Sequence, residues 1–535
     1  MSTISQPTQK LVQRYQSWNQ SLQVSEEAAT IHVDEVASKV AAFYEKIRGV
    51  VDWKEEHLFR KTAIGRMAKR RLIFRGDGKD VAAPLVYELI RGGHFQNDKI
   101  PESKVEEIQK IIDKYIYILD NAPAAPKEKL TIRFQDWLLE IAACEIEETL
   151  DPPIKENSLT EYATELLNGR MVIRKGIISI GKDVSEQEKI TQVYVAVQRS
   201  LFNFDASLIS YHLLTKRYPN WHNLPQQELE EVARNIYLIR ESLEKDLNHP
   251  LADKFYKICE RYDTPYLLLG DILSGDPTGA GEKLSHPELL ETSIRQVYNQ
   301  RASTLRSRLG RAAFYATLSI FLTNIVSLYA IEIPLAKFVL GQFSPLAIAI
   351  DIFVPTFLMF LLIVTVRLPK KENLELVIME VMKIAYEEKR RDIYEIRIYP
   401  RRNIVISSLI TLLYIFAFVL FVGLVVWGLE QINLPATSHI IFIIFISLIT
   451  FAGTKIRGRA KELQVIETKE NFFYFILDVF AIPITQLGKW LSSRWKRYNA
   501  IAKFFSYLID MPFQIFVEFI EQWRYFLKEK KEEIH

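Results

Sequence analysis

The sequence predicts an all-α protein. Large cytoplasmic helical bundles come first, then a four-span α-helical membrane unit built as two hairpins, then C-terminal interfacial amphipathic helices. Three observations predict this. Apolar residues recur at helical spacing through most of residues 1–310. Four long apolar runs follow, Ala312–Glu332 paired with Ser344–Val366 and Ile404–Leu429 paired with Ser438–Gly453. Each is long enough, or nearly so, to cross a hydrocarbon core of about 30 Å at about 1.5 Å per residue. Lysine and arginine crowd the segments before, between and after the pairs and are scarce in the two short loops within them. The division expected is 1–121 and 127–274 as helical subdomains, 285–310 as a membrane-proximal helix, and 312–367 as the first hairpin. After it come 368–403 as an amphipathic connection, 404–453 as the second hairpin and 454–535 as interfacial or re-entrant helices with a tail.

The first ten residues, Met1 to Lys10, lack a charged stretch followed by an apolar core, so no secretory signal is expected and the first span serves as its own insertion signal. Next comes a basic stretch with Arg60, Lys61, Arg66, Lys69, Arg70, Arg71 and Arg75, interleaved with Leu58, Ile64, Met67, Leu72, Ile73 and Phe74. As the solvated face of a bundle helix it needs no ligand. As an amphipathic surface helix it suits anionic lipid headgroups, at about 1 kcal/mol per well-placed cation. Nucleic acid is not expected, because no aromatic stacking platform accompanies the charge.

Asn121-Ala-Pro-Ala-Ala-Pro126 reads as an extended linker and marks a subdomain boundary. Between them, Val105–Leu119, Phe134–Ile146, Ile190–Leu214, Leu229–Leu243 and Leu251–Leu273 each carry one apolar stripe. Capping boxes are expected at Ser158–Glu161, Ser185–Glu188 and Ser285–Glu288. Met171–Ile180, centred on Lys175-Gly176, is the one expected β-hairpin. The run Ser274 to Lys283 resembles a phosphate loop but lacks the spacing and the hydroxyl after the lysine, so it reads as a flexible hinge.

In the membrane unit the basic residues retained inside put both termini and the middle connection in the cytoplasm. Arg301, Arg306, Arg308 and Arg311 precede the first run, ten cations from Arg367 to Arg402 fill the connection, and Lys455, Arg457, Arg459 and Lys461 follow the fourth run. Counting depth at about 1.5 Å per residue places Asn324 about 18 Å, Ser327 about 22 Å and Asp351 about 24 Å from the inner boundary. The three therefore meet across the first hairpin. They read first as interhelical hydrogen bonding and second as an ion- or proton-sensitive site. Pro355 sharpens this, since it has no N–H for the Asp351 carbonyl. Ser408, Thr411, Ser447 and Thr450 on the second hairpin are explained by packing.

The connection Glu372–Arg397 reads as an amphipathic helix lying under the bilayer. Beyond the fourth run, Phe472–Asp478 and Phe504–Asp510 share a local pattern and each precedes a proline. Crossing would carry Lys489, Arg494, Lys496, Arg497 and Lys503 outward against the charge bias, so these segments are expected at the cytoplasmic interface, in contact with anionic headgroups.

Over 535 residues the 68 Lys and Arg nearly balance the 65 Asp and Glu, which excludes a global field for nucleic acid. The two cysteines, Cys144 and Cys259, exclude a disulfide framework. Zinc-protease, Cys-x-x-Cys, serine-hydrolase and dinucleotide patterns are absent, and Glu140, Cys144, Glu147 and Glu148 read as a surface carboxylate row. No cofactor, metal or catalytic residue is expected. What remains is a non-enzymatic scaffold or sensor of the cell membrane, binding a protein partner through its cytoplasmic helices. The alternative is an oligomeric channel or transporter component using Asp351 and Asn324.

Overall fold

The computed structural model describes residues 4–21, 29–34, 56–75, 78–123, 128–175, 184–327, 345–364, 371–386, 393–398, 404–432, 436–460, 463–465 and 472–497, with a few isolated positions elsewhere. The side chains of Asn324, Ser327, Asp351, Arg494, Lys496 and Arg497 lie outside what is described. The elements run α1 (Gln6–Ser21), α2 (Glu56–Arg75), α3 (Ala82–Arg91), α4 (Ser103–Asn121), α5 (Glu128–Leu150), α6 (Ile154–Arg170), β1 (Met171–Lys175), α7 (Glu186–Phe202), α8 (Ala206–Arg217) and α9 (Gln226–Leu247). They continue with α10 (Ala252–Arg261), α11 (Asp263–Gly275), α12 (Ala280–Ser285), α13 (Pro287–Ser327), α14 (Pro345–Val364), α15 (Lys371–Tyr386), β2 (Tyr394–Ile398), α16 (Ile404–Glu430), α17 (Ala436–Ala460) and α18 (Phe472–Arg497). The fold is predominantly helical, as expected.

Local capping chemistry sets one of the three expected starts. At α7 the Ser185 hydroxyl accepts from the Glu188 N–H while the Glu188 carboxylate accepts from the Ser185 N–H, a complete capping box. Ser158 does not cap: α6 begins earlier, behind Pro152-Pro153, and the Ser158 hydroxyl donates back to the Ile154 carbonyl at 2.6 Å. Ser285 closes α12 instead of opening α13, donating to the Gly281 carbonyl, and Pro287 supplies the preorganised first turn of α13. The expected hinge after α11 is an Asp276 turn. Its carboxylate accepts from the Gly279 N–H at 2.9 Å and pairs with Lys283 at 2.8 Å, so the one lysine positioned like a phosphate binder is already engaged.

The helices pack around two hydrophobic cores. The first gathers α2, α3, α4, α5, α8 and α9 around Ile64, Leu85, Ile108, Ile141, Ile209 and Trp221. The helices flanking Asn121–Pro126, α4 and α5, pack on each other inside it. The second gathers α1, α6, α7 and α10–α13 around Leu11, Leu166, Val197, Phe255, Leu269 and Leu290.

The second core also takes in residues from between and beyond the apolar runs. Val377, Val381, Ile384 and Ala385 of α15, Ile396 of β2 and Leu463 are all buried in it. This corrects the expectation of a surface helix over Glu372–Arg397: Lys371–Tyr386 is helix, Tyr394–Ile398 is strand, and both are core elements. The first half of the expected hairpin is a strand, and it has a distant partner. β1 pairs with β2, in parallel, from Met171 opposite Tyr394 to Lys175 opposite Ile398; residues 176–180 lie outside the described residues. β1 thus has a partner strand more than two hundred positions away in the sequence.

Of the four expected spans, two helices among the described residues are long and apolar enough to cross a membrane, Ile404–Glu430 and Ser438–Gly458. The 41-residue α13 is rooted in the second core by Leu290, Ile294, Tyr298 and Leu305 and is described to Ser327. In α14 the apolar stretch Ile352–Leu362 is what the described side chains cover without a break, and the side chains of Asp351 and of 363–364 lie outside them. α16 buries only Ala417 and Leu429 and shows a bare apolar surface otherwise. α14, α17 and α18 pack side by side, with Met359 and Ile449 meeting in a small cluster.

Candidate functional site

The site with the most converging interactions is the seam where α15, β2 and residues 463–465 join the helical domain. Asn373, 3% exposed, stands at its centre. Its amide donates to the Tyr298 hydroxyl at 3.1 Å and to the Leu463 carbonyl, while its oxygen accepts from the Val465 N–H at 2.9 Å. One side chain thus ties together the helix that precedes the first apolar run, the helix between the pairs and the chain that follows the fourth. Arg295 adds a bidentate pair with Glu375 at 2.8 and 3.0 Å. The C-terminal end of α15 is held by Tyr386 on the Leu284 carbonyl at 2.7 Å and by the Ser5 N–H on the Ala385 carbonyl at 3.0 Å.

Below this, Arg170 is buried at the end of α6. It donates from Nη1 to the Tyr394 hydroxyl at 3.1 Å, lies over that ring, and among the described residues makes no hydrogen bond from Nε or Nη2. Tyr394 in turn stacks on Tyr262 at 4.3 Å.

A second polar cluster lies in the first core, on α5. Glu145 is fully buried and accepts from Lys114 at 2.6 Å, Tyr115 at 2.7 Å and Trp221 Nε1 at 3.0 Å, with His222 at 3.3 Å. Burial alone would raise its pKa, but these donors together hold it below the usual carboxylate range. Glu147, bridged to Arg60 at 3.0 Å, is pushed up to about 7, chiefly by burial, against the pull of that guanidinium. Glu148 meets His212, whose other nitrogen meets Gln198 at 2.9 Å. Of the expected surface row, Glu140 is exposed, whereas Cys144 and Glu147 are buried, Glu148 is half-buried, and both of these carboxylates are paired, which is the correction the structure makes there.

The basic stretch on α2 faces these and other carboxylates. Arg60 bridges Glu147 and Asp151, Lys61 is buried against Asp205 and Ser207, Lys69 meets Asp136, and Arg70 and Arg71 both meet Glu88. Arg66 is half-buried. Lys489 is exposed on α18, whereas Arg494, Lys496 and Arg497, like Asn324, Ser327 and Asp351, have side chains outside the described residues. The backbone does bring α13 and α14 together.

Among the described residues no group of three His, Cys, Asp or Glu side chains forms a metal site. Burial pushes the Cys144 and Cys259 thiols up, away from a thiolate at neutral pH. Sequence reasoning missed Asn373, Arg170, Lys114 and Glu145. Two left a signal: Lys114 and Glu145 fall on the apolar stripes of their helices, beside Ile111 and Ile118 and beside Ile141. A charge at a stripe position needs a buried partner.

No protein-family model, curated protein or solved structure matches this chain.

Proposed function

We propose that this chain is an integral protein of the cell membrane, a non-enzymatic scaffold or sensor whose cytoplasmic helical domain binds a protein partner. One observation carries the membrane arrangement. The chain leaves the second core along α13, returns to it at α15 and β2, leaves again along α16, and returns at Leu463. Each apolar excursion begins and ends at the same face, so each crosses an even number of times. Four spans in two hairpins satisfy that parity and agree with the lysine and arginine bias. Anionic headgroups meet the cations that flank the apolar helices, such as the exposed Arg457 at the end of α17. The bare surface of α16 suits lipid or a second copy of the chain.

The paired state of the buried polar groups supports the scaffold reading. Glu145, Glu147 and Glu148 are engaged by Lys114, Arg60 and His212, which makes them structural. Crosslinking in native membranes tests this reading. Wild-type chain is expected to recover a partner that is lost when surface residues of the helical domain are changed and kept when span residues are changed. Recovery that tracks the spans instead would overturn it. The packing of α13 on α14 favours a second reading, in which Asn324 and Asp351 serve an ion path. Ion flux from reconstituted protein, abolished by Asp351→Asn, would select that reading over the scaffold.

A further inference from the structure

We propose that Arg306, Arg308, Arg311 and Arg457 form a site for the phosphate of anionic phospholipids, in the layer between the helical domain and the hydrocarbon core. The inference rests on the membrane reading above and names where its headgroups bind. Its first support is the level at which three apolar helices meet. Leu309 of α13 and Leu362 of α14 join Met359, Ile449 and Ile456 in one cluster. A Cβ on Gly453 would stand 2.4 Å from Leu362 Cδ1, so α14 and α17 lie in close contact there. Toward their other ends Ile350 and Val354 share a cluster with Phe442 and Ile446. α14 and α17 therefore run in the same direction, and their domain-side ends coincide.

The domain rests on this cluster with no spacer. Leu305 is buried in the second core, and Leu309, one turn on, packs against both that core and the cluster. Leu463, just beyond the end of α17, is buried in the second core as well. Along the helix axes each of the four arginines falls within about 5 Å of Leu309 or Ile456. They occupy one layer, between packed protein on one side and the apolar helices on the other.

Cations deeper in the domain are neutralised by the chain itself. Arg295 pairs with Glu291 and Glu375, and Arg301 pairs with Asp271. Past them the carboxylates stop: from Ala302 to Ser327 of α13 and throughout α17 there is no Asp or Glu. Arg306, Arg308, Arg311 and Arg457 are exposed, and among the described residues none pairs with a carboxylate. Lys455, also exposed at this level, lies over the Phe451 ring at 5.0 Å. Like charges gathered in one layer repel unless a counter-ion joins them, and the phosphate diester of a lipid is the anion this layer offers. A guanidinium fork meets phosphate oxygens two at a time. A zwitterionic headgroup brings its own cation and leaves the arginines uncompensated, whereas an anionic one does not.

The test uses the full chain in detergent micelles. Phosphatidylglycerol and phosphatidylcholine of identical acyl chains are the probes, and native mass spectrometry counts the lipid bound. At about fivefold per well-placed cation, the four arginines should favour phosphatidylglycerol on the order of a hundredfold or more. Arg306→Gln combined with Arg457→Gln should lower that preference on the order of twentyfold. A control pair, Arg133→Gln with Arg234→Gln, removes two exposed cations of the helical domain and should leave it unchanged. Equal affinities in the wild type, or an equal drop in the control pair, would overturn the site. Displacement of the lipid by sodium phosphate at constant ionic strength would make it a free-anion site and overturn it too. An alkaline carbonate wash of native membranes tests the membrane reading separately. Release of the chain by that wash would sink that reading, while retention alongside equal lipid affinities would sink the phospholipid site alone.

Discussion

Replacing Asn373 by leucine keeps its bulk and removes all three of its hydrogen bonds, to Tyr298, Leu463 and Val465. Two of them hold the segment 463–465, and at roughly 0.5–1.5 kcal/mol net each the segment should become about 2 kcal/mol easier to release. The Val465 N–H and Leu463 carbonyl find water only once the segment has left the seam, so the loss appears as local opening, not global unfolding. At about 1.4 kcal/mol per factor of ten, amide exchange at Val465 should quicken on the order of thirtyfold. Hydrogen exchange read by mass spectrometry on peptides across 460–470 measures this, with peptides of α5 as the internal control. Asn373→Asp keeps the acceptor for Val465 and should fall between the two. Unchanged protection at 463–465, or equal loss of protection in α5, would refute the view that one amide clamps the three segments.

Further outcomes follow from the same geometry. Glu147 has its carboxyl raised to about 7 in the folded chain against about 4.5 unfolded, so the folded state holds the extra proton. Stability should be full below pH 4.5 and decline by at most about 3 kcal/mol as pH rises through 7. Glu147→Gln, which leaves Arg60 its Asp151 partner, should flatten that decline in denaturant titrations at several pH values. Glu145→Ala strands Lys114 in the first core and should cost about 3–5 kcal/mol, read by denaturation monitored through Trp221 fluorescence. A cost under about 1 kcal/mol would show that Lys114 has another outlet. Val381→Asp should disrupt the second core as a whole, exposing α1, α6 and α11 to protease, because α15 is part of that core. Gly488→Val should separate α18 from α17, whereas Gly423→Ala on α16, with open space around it, should be neutral in crosslinking between α17 and α18.

Much of the helical architecture was legible in the chain. The stripes at Ile108, Ile111, Ile112 and Tyr115, or Val232, Ala233 and Ile236, are buried as their spacing requires. Ser185–Glu188 caps as written because both partners lie within one turn. Ser158 and Ser285 carry the same residue pattern and fail, because prolines one turn before Ser158 and just after Ser285 set the boundaries first. The pairings that build the seam were not legible. Asn373 with Val465, β1 with β2, and Ser5 with Ala385 join positions with no shared period or motif.

The same limit applies to the polar site on α5. Spacing alone makes Glu147 and Glu148 a surface row, and only the approach of α2, α4 and α8 turns them inward toward Arg60 and His212. By itself, then, the sequence determined the helices, the long apolar runs and the uneven distribution of cations, all of which are local or additive properties of the chain. Tertiary structure alone decided that the connection between the runs is a core element of the helical domain. A buried face records that it needs a partner but not which one, and that choice is made by shape and hydrogen bonding between residues hundreds of positions apart.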